Sequence, residues 1–175
     1  NAMGFQTMAL NKTGIQNNAL GYQSLYSNLD GNGNTAIGTL SLANHRTGDY
    51  NIAIGHQSLL SDSAGKYNIA IGLYTLNSNK TGSDNTANGN YALFNNLSGD
   101  DNTAIGKGAL YGITRGDFNT AVGESALGNA SLVNKNTAIG YSADAPSTLS
   151  TNATAIGANA IANCSNCMVL GSVPG

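Results

Sequence analysis

The stretch Asn102-Thr103-Ala104-Ile105-Gly106 decides the fold, because lightly varied copies of these five residues return along the whole chain. Aligned on their last residue, which we call the key glycine, ten copies follow one another with a constant 17-residue period and an eleventh follows after a shorter, 14-residue step. A fixed, short period is typical of a solenoid, in which each repeat forms one coil stacked on the next. The key glycines are Gly4, Gly21, Gly38, Gly55, Gly72, Gly89, Gly106, Gly123, Gly140, Gly157 and Gly171.

The two residues before each key glycine have the character of a strand. The first is alanine in every copy except the last, which has Val169, and the second is Met, Leu, Ile or Val in every copy except one, which has Asn88. Neighbouring residues of a strand point to opposite faces, so we expect this strand to be buried on both faces. So small a coil should hold about one Ile and one Leu per layer. The second face is then expected to pack on another copy of the chain.

The rest of the coil predicts two turns and a second short strand. A leucine column lies four residues after the key glycine, and another glycine lies ten residues after it among Asn, Asp, Ser and Thr. We expect the key glycine to supply a positive φ or a close backbone approach, and residues 107–111 and their equivalents to form the second strand. The asparagines four residues before the key glycines, such as Asn102, are expected either to stack as an amide ladder or to serve the turn.

Composition excludes several classes of protein. The 175 residues are 41% hydrophobic but only 9% charged, against an ordinary ~25%, and the formal net charge is −2. No run of Lys and Arg is present, so a nucleic-acid partner is not expected. No apolar stretch approaches the ~20 residues of a spanning helix, so this segment is not expected to contact a membrane.

The repeat resembles that of a known family. Asn-Thr-Ala-Ile-Gly followed by a small residue is similar to the Asn-Ser-Val-Ala-Ile-Gly-x-x-Ser repeat of the YadA-like heads of trimeric autotransporter adhesins. The similarity is strongest over residues 152–160, ahead of the 14-residue step. It implies an all-β, left-handed parallel β-roll (a β-solenoid), here with 17-residue coils, that assembles side by side as a homotrimer. The longer 17-residue coil resembles a variant found in surface fibres and phage-tail-like fibres.

These observations predict one β-roll head domain over residues 1–175. Residues 1–140 form regular coils, and residues 141–175 form an irregular coil, a shorter coil and a C-terminal transition. The resemblance implies a non-enzymatic adhesive head of an extracellular fibre, on a cell surface, outer membrane or virion, with itself and a surface glycan or protein receptor as partners. The alternatives are a structural spacer, an ice- or crystal-binding solenoid using the Thr column, and a phage carbohydrate-binding or depolymerase module. No cofactor and no metal are expected.

Candidate binding residues are aromatic. Exposed rings stack on sugars or on partner surfaces, so we single out Tyr22, Tyr74 and Tyr141 as ligand-binding candidates; rings at such positions also fill gaps at roll corners. Asn88 places an amide in an otherwise aliphatic column. Three copies of it would surround a water or an anion on a threefold axis, or else the amide is satisfied within its own coil.

The cysteines, histidines and aspartates, which in other proteins often serve in catalysis or metal binding, are interpreted as structural residues here. Cys164 and Cys167 form a Cys-x-x-Cys without a second pair, and we interpret them as structural cysteines, disulfide-bonded or simply packed. His45 and His56 are interpreted as exposed loop residues that share no column with a carboxylate placed to make a triad. The aspartates of the second bend are interpreted as turn residues, and no coil has the carboxylate pair of a glycosidase.

Overall fold

The chain winds into a single solenoid of short parallel strands. A computed structural model describes residues 1–129, 131–145 and 150–171, and these residues contain no helix. The eleven strands form one parallel sheet in sequence order. They are β1 (Ala2–Met3), β2 (Asn18–Leu20), β3 (Thr35–Ile37), β4 (Ile52–Ile54), β5 (Ile69–Ile71), β6 (Thr86–Asn88), β7 (Thr103–Ile105), β8 (Thr120–Val122), β9 (Thr137–Ile139), β10 (Thr154–Ile156) and β11 (Met168–Leu170). Each coil begins with a strand, ends where the next strand begins, and carries the number of its strand.

The strand register follows the sequence repeat. Ala104 pairs with Ala121, so equivalent residues of successive coils lie beside one another, and the shorter last step pairs Ala155 with Val169. With strands ~4.8 Å apart, the ten steps make a rod about 50 Å long. The predicted all-β parallel solenoid and its shorter final coil are thereby confirmed. The predicted left-handed winding remains a prediction, and residues 172–175 of the expected C-terminal transition lie outside the described residues.

The interior of each coil is built from alanine and leucine. Ala104 on the strand and Leu110 after the turn are completely buried, and so are their equivalents in the neighbouring coils. Ile105, between them in sequence, points outward and is 42% exposed. The expectation of an Ile in each interior layer is therefore wrong, whereas burial of the second strand face against another copy of the chain stays a prediction. So short a coil has room for the small Ala and one Leu, and strand alternation turns the Ile column outward.

The predicted second strand does not form. The segment after the key glycine is a series of turns in which the second and fourth residues have a left-handed backbone, as at Gln23 (φ 51°) and Leu25 (φ 50°). The segment still bonds from coil to coil, since the Leu25 N–H donates to the Ser41 carbonyl at 2.9 Å. Two left-handed residues two positions apart curl the backbone around the buried leucine, which an extended strand cannot do.

The two glycines of a coil serve different needs. Gly106 has a φ of +127°, and a Cβ on it would lie 2.6 Å from the carbonyl group of Gly123 in the next coil. Both predicted reasons for the key glycine, positive φ and close approach, are confirmed. Gly99, in the second bend, lacks the positive φ, but its Cβ would lie 2.4 Å from the Gly116 carbonyl oxygen. The second glycine is therefore required by close stacking alone.

The predicted asparagine ladder is present and also serves the turns. Asn102 is fully buried, and its Nδ2 donates to the Gly116 carbonyl at 2.7 Å and to Oδ1 of Asn85 at 3.1 Å. Its own Oδ1 accepts the backbone N–H of Asn119. Each amide thus ties the strand to the second bend of the same coil and to the ladder of its neighbours, which satisfies buried polar groups that the thin interior would otherwise leave unpaired.

Candidate functional site

One face of the sheet is apolar and uncovered in the single chain. The residues one and three positions before each key glycine point to this side, which we call the outer sheet face. Its aliphatic column is 39% exposed at Ile37, 42% at Ile105 and 40% at Ile139, and 70% exposed at the terminal strand residue Leu170. The second column is half-buried in coils 3 to 10, where its members are Thr35, Ile52, Ile69, Thr86, Thr103, Thr120, Thr137 and Thr154. Neither column, both of which lie within the described residues, contains a charged side chain.

Asn88 interrupts this face. Its side chain is exposed and makes no hydrogen bond to any described residue. The interpretation that the amide is satisfied within its own coil is therefore wrong, because strand alternation turns it away from that coil. The arrangement of three Asn88 side chains on an axis remains a prediction.

The three candidate tyrosines are not brought together. Tyr22 and Tyr141 are both exposed and follow their key glycines directly, but they are seven coils, or about 34 Å, apart along the rod. Tyr22 stacks on Phe5 at a centroid distance of 5.7 Å. Tyr74 lies between them along the rod, two positions after its key glycine, and packs among other rings. The rings form separate rows, so a single site made of these three tyrosines does not exist.

The most extended group of tyrosine and phenylalanine rings in contact lies in coils 5 to 7. Tyr74 stacks on Tyr91 at 5.4 Å, Tyr91 contacts Phe94 at 5.8 Å, and Phe94 stacks on Tyr111 at 5.4 Å with an interplanar angle of 5°. We call these four residues the aromatic row. Parallel stacking at one-coil spacing follows from the repeat, because equivalent side chains of successive coils lie directly above one another.

A groove opens where the aromatic row ends. It encloses about 480 Å³ over coils 6 to 9, and Tyr91 and Tyr111 form one wall. Its floor contains Gly108 and Gly128, and Ser125, Ser142, Asn129 and Asp144 line the rest, with Lys107 at the edge. The sequence carries a signal for it that alignment of the columns reveals. Tyr91 gives way to Gly108 one coil later, and Tyr111 gives way to Gly128.

The charged groups around the groove are largely engaged. Lys107 bonds to Glu124 at 3.1 Å, and both side chains are exposed. Burial raises the pKa of the Asp144 carboxyl, an effect that hydrogen bonds from the Ala145 N–H and the Asn129 side chain partly offset. The described lining of the groove therefore offers hydroxyl, amide and carboxyl groups for hydrogen bonding but no unpaired cation.

A buried, hydrogen-bonded His–Asp pair interrupts the interior. Contrary to the sequence interpretation, His45 is fully buried, and it shares a column with a carboxylate, because Asp62 occupies the same position one coil later. The His45 Nδ1 lies 2.7 Å from Oδ2 of Asp62, and its Nε2 lies 2.8 Å from the Gly48 carbonyl oxygen. Both side chains are inaccessible to solvent and both ring nitrogens are engaged, so the pair has the form of a structural link. His56 is exposed, as predicted, with its ring edge against Tyr74.

The remaining candidates are structural. Cys164 and Cys167 are joined by a disulfide in the short coil. The aspartates of the second bend act as predicted, since Asp100 accepts the backbone N–H of Ser83 from the preceding coil. Burial alone would raise the pKa of Asp49, but hydrogen bonds from the Asn32 N–H and the Lys66 ammonium lower it below its ordinary value.

Over residues 1–129, 131–145 and 150–171, the chain has no group of three His, Cys, Asp or Glu side chains placed to hold a metal ion. The same residues lack any helix with the length and apolar character needed to cross a membrane. Comparison with known proteins gives no relative: no protein-family model, no curated protein and no solved structure matches this chain.

Proposed function

We propose that this chain is the non-enzymatic adhesive head of an extracellular fibre, in which three copies pack through their outer sheet faces and together bind a cell-surface ligand. The observation that carries the proposal is the outer sheet face. Ten of the eleven coils place an aliphatic side chain on it, exposed or half-buried in the single chain, and neither of its columns is charged.

The shape of this face favours a partner of equal length. The face is a strip about 50 Å long and about 7 Å wide between its two columns. An uncharged strip of that size, with an aliphatic column along it, is comparable to the largest apolar patch on an ordinary monomer, and such patches commonly bind a partner. A second copy of the chain offers the same columns at the same spacing, which gives an interface that repeats in every coil.

The number three comes from the resemblance to the YadA-like heads. Homo-oligomers close by point-group symmetry, and three strips around a common axis bury one another without leaving an open edge. A head with three equivalent binding surfaces gains avidity by ~10²–10⁴ over a single site, so each site needs only modest affinity. The disulfide between Cys164 and Cys167 fits an oxidising extracellular setting.

A second candidate function uses the same face. Thr86, Thr103, Thr120, Thr137 and Thr154 make an unbroken outward column beside the aliphatic one, which is the kind of flat array expected of an ice-binding solenoid. Ile52 and Ile69 interrupt the column in coils 4 and 5. The two functions exclude each other, because a face buried between copies cannot bind ice. Thermal hysteresis of the purified protein tests this alternative directly.

The adhesive proposal is tested by charging the outer sheet face. We expect Ile71→Glu/Ile105→Glu to separate the copies and to lower binding to immobilised glycans and intact cells by at least about a hundredfold, through loss of avidity. The matched control is Thr81→Glu/Ser98→Glu, which adds the same charge at exposed loop positions. Unchanged binding by a monomeric sheet-face variant, or equal loss in the control, would contradict the proposal.

A further inference from the structure

We infer that the groove over coils 6 to 9 binds a neutral saccharide, with a sugar ring against Tyr91 and Tyr111 and its hydroxyl groups bonded to Asn129, Asp144 and the serines. The inference rests on the proposed function, since it names the ligand class of the adhesive head. It does not use the ligand-binding candidates named from the sequence, Tyr22, Tyr74 and Tyr141.

The groove exists because of a glycine that the fold does not need. Gly108 has a φ of +66°, but the equivalent residues Gln57, Tyr74 and Tyr91 hold the same left-handed backbone with full side chains. A Cβ on Gly108 would meet only the Ser125 Oγ, at 3.9 Å. Neither the backbone nor the packing therefore demands glycine here. Its effect is to leave the floor open beside the Tyr91 ring.

The aromatic wall is rigid and partly exposed. Tyr111 is 41% exposed and is held flat by its parallel stacking on Phe94, which is itself in contact with Tyr91. A ring fixed in this way presents its edge and one face without losing rotamer freedom on binding. The C–H faces of a sugar ring are apolar enough to cover such a surface, while a tyrosine hydroxyl at the edge keeps a polar partner.

The polar side of the groove selects against negatively charged ligands. Lys107, the cation among the described lining residues, is paired with Glu124 at 3.1 Å, so a negative charge stands beside it and offsets its attraction for a phosphate, sulfate or sialic acid carboxylate. Asp144 would repel such anions. The other polar lining groups are the Asp144 carboxyl, the Asn129 amide and the hydroxyls of Ser125 and Ser142. Asn129 and Asp144 are bonded to each other, which leaves the second amide hydrogen and the remaining carboxyl lone pairs for the hydroxyls of a ligand. A neutral, hydroxyl-rich ligand satisfies this set without an unpaired buried charge.

The test fills the groove with the residue that other coils use. Gly108→Gln places in coil 7 the side chain that coils 1, 2 and 4 carry at Gln6 (φ 52°), Gln23 (φ 51°) and Gln57 (φ 53°). The full chain and this variant are applied to an array that carries neutral hexose and N-acetylhexosamine oligosaccharides together with sialylated and sulfated ones. We expect the unmodified chain to bind neutral members only, and the variant to bind them at least tenfold more weakly.

A second pair of variants distinguishes loss of the groove from a general folding defect. Tyr111→Ala removes the groove wall, and Tyr50→Ala removes an exposed, stacked tyrosine that lies outside it. We expect at least a tenfold loss in the first and none in the second. Binding to acidic glycans, no neutral glycan bound by the unmodified chain, or neutral binding that survives both Gly108→Gln and Tyr111→Ala would overturn the inference.

The outcomes also separate this inference from the proposed function. Gly108 lies beyond the key-glycine turn from the outer sheet face, so Gly108→Gln is expected to leave the oligomer mass unchanged. If the chain is trimeric and adheres to cells while Gly108→Gln has no effect, the groove inference fails alone. If the chain is monomeric but the groove binds a neutral oligosaccharide, the fibre-head proposal fails and the groove inference stands.

Discussion

At the scale of single residues, the interior column seven positions after the key glycine shows how a polar side chain is kept inside a thin coil. In the regular pattern, Asn96 donates from Nδ2 to Oδ1 of Asn79 in the coil before and to the carbonyl of Gly99 in its own coil, both at 3.0 Å. His45 and Asp62 depart from this pattern. Both ring nitrogens of His45 face acceptors, so a proton is held between Nδ1 and Oδ2 of Asp62.

The departure has a visible consequence one coil earlier. Oδ1 of Asn28 is buried and has no hydrogen-bond partner among the described residues, because His45 has no N–H left to donate to it. An asparagine at position 45 would supply that donor. The same asparagine would, however, turn its own Oδ1 toward the Asp62 carboxylate, which sets two acceptors against each other.

We therefore predict an asymmetric mutant cycle. His45→Asn should lower the free energy of unfolding by about 3 kcal/mol, because it leaves Oδ2 of the buried Asp62 carboxyl without a donor, while Oδ1 keeps its bonds to Gly65 and Asn79. Asp62→Asn should cost less than about 1 kcal/mol, since an amide can donate to the neutral ring. The double variant restores the regular ladder and should be at least as stable as the original chain. Guanidinium unfolding at one protein concentration measures all four proteins.

Equal losses in the two single variants, or a double variant less stable than the original chain, would contradict this account of the pair. The pair could not be predicted from local sequence. His45 stands in a polar bend where histidine is ordinarily exposed, and only its alignment in one column with Asp62, fully inside the coil, shows that the two side chains meet.

At the scale of the element, the repeating unit is one short strand and a chain of turns. The strand and the key glycine could be predicted, because Thr-Ala-Ile-Gly carries β propensity, alternation and a φ that only glycine adopts easily. The second strand could not be distinguished from turns, since small and apolar residues such as Ala109 and Leu110 suit either. The left-handed backbone of Leu110 (φ 53°) is imposed by stacking on the neighbouring coils and not by its own propensity.

Gly106 and Gly108, which lie in the same coil, give a matched test of this stacking. Gly106→Ala should lower the free energy of unfolding by about 3 kcal/mol, because its Cβ would lie 2.6 Å from the Gly123 carbonyl at a φ of +127°. Gly108→Ala meets no close atom and holds a backbone that other side chains accept, so it should cost about 1 kcal/mol. Thermal unfolding followed by circular dichroism compares the two. Similar losses in both variants would show that close stacking at the key glycine does not limit stability.

The groove is a feature of four coils together, and for this reason it could not be predicted from single residues. Tyr22, Tyr74 and Tyr141 resemble binding residues one at a time, whereas the groove depends on the change of residue type from one coil to the next, from Tyr91 to Gly108 and from Tyr111 to Gly128. Once the column alignment is known, an abrupt change from ring to glycine is visible in the sequence alone. The polar lining residues carry no such signal, because turns use the same residue types.

At the scale of the whole molecule, the proposed function depends on the outer sheet face. Each column of the outer sheet face repeats similar residues from coil to coil, so two copies can slide by one coil with little change in contacts. An assembled head therefore needs a residue that fixes the register between copies. Asn88 is the one polar residue in the aliphatic column, and it lies near the middle of the rod in coil 6. Amides meeting at one level would set that register at some cost in stability.

The molar mass of the purified full chain, measured by multi-angle light scattering across a dilution series, tests the central claim most directly. The account predicts a mass near three chains of 17.7 kDa that persists on dilution, because the outer sheet faces bury one another along the rod. A stable mass of one chain would contradict it. The outer sheet face would then be open to solvent, and the ice-binding function would become the first to test.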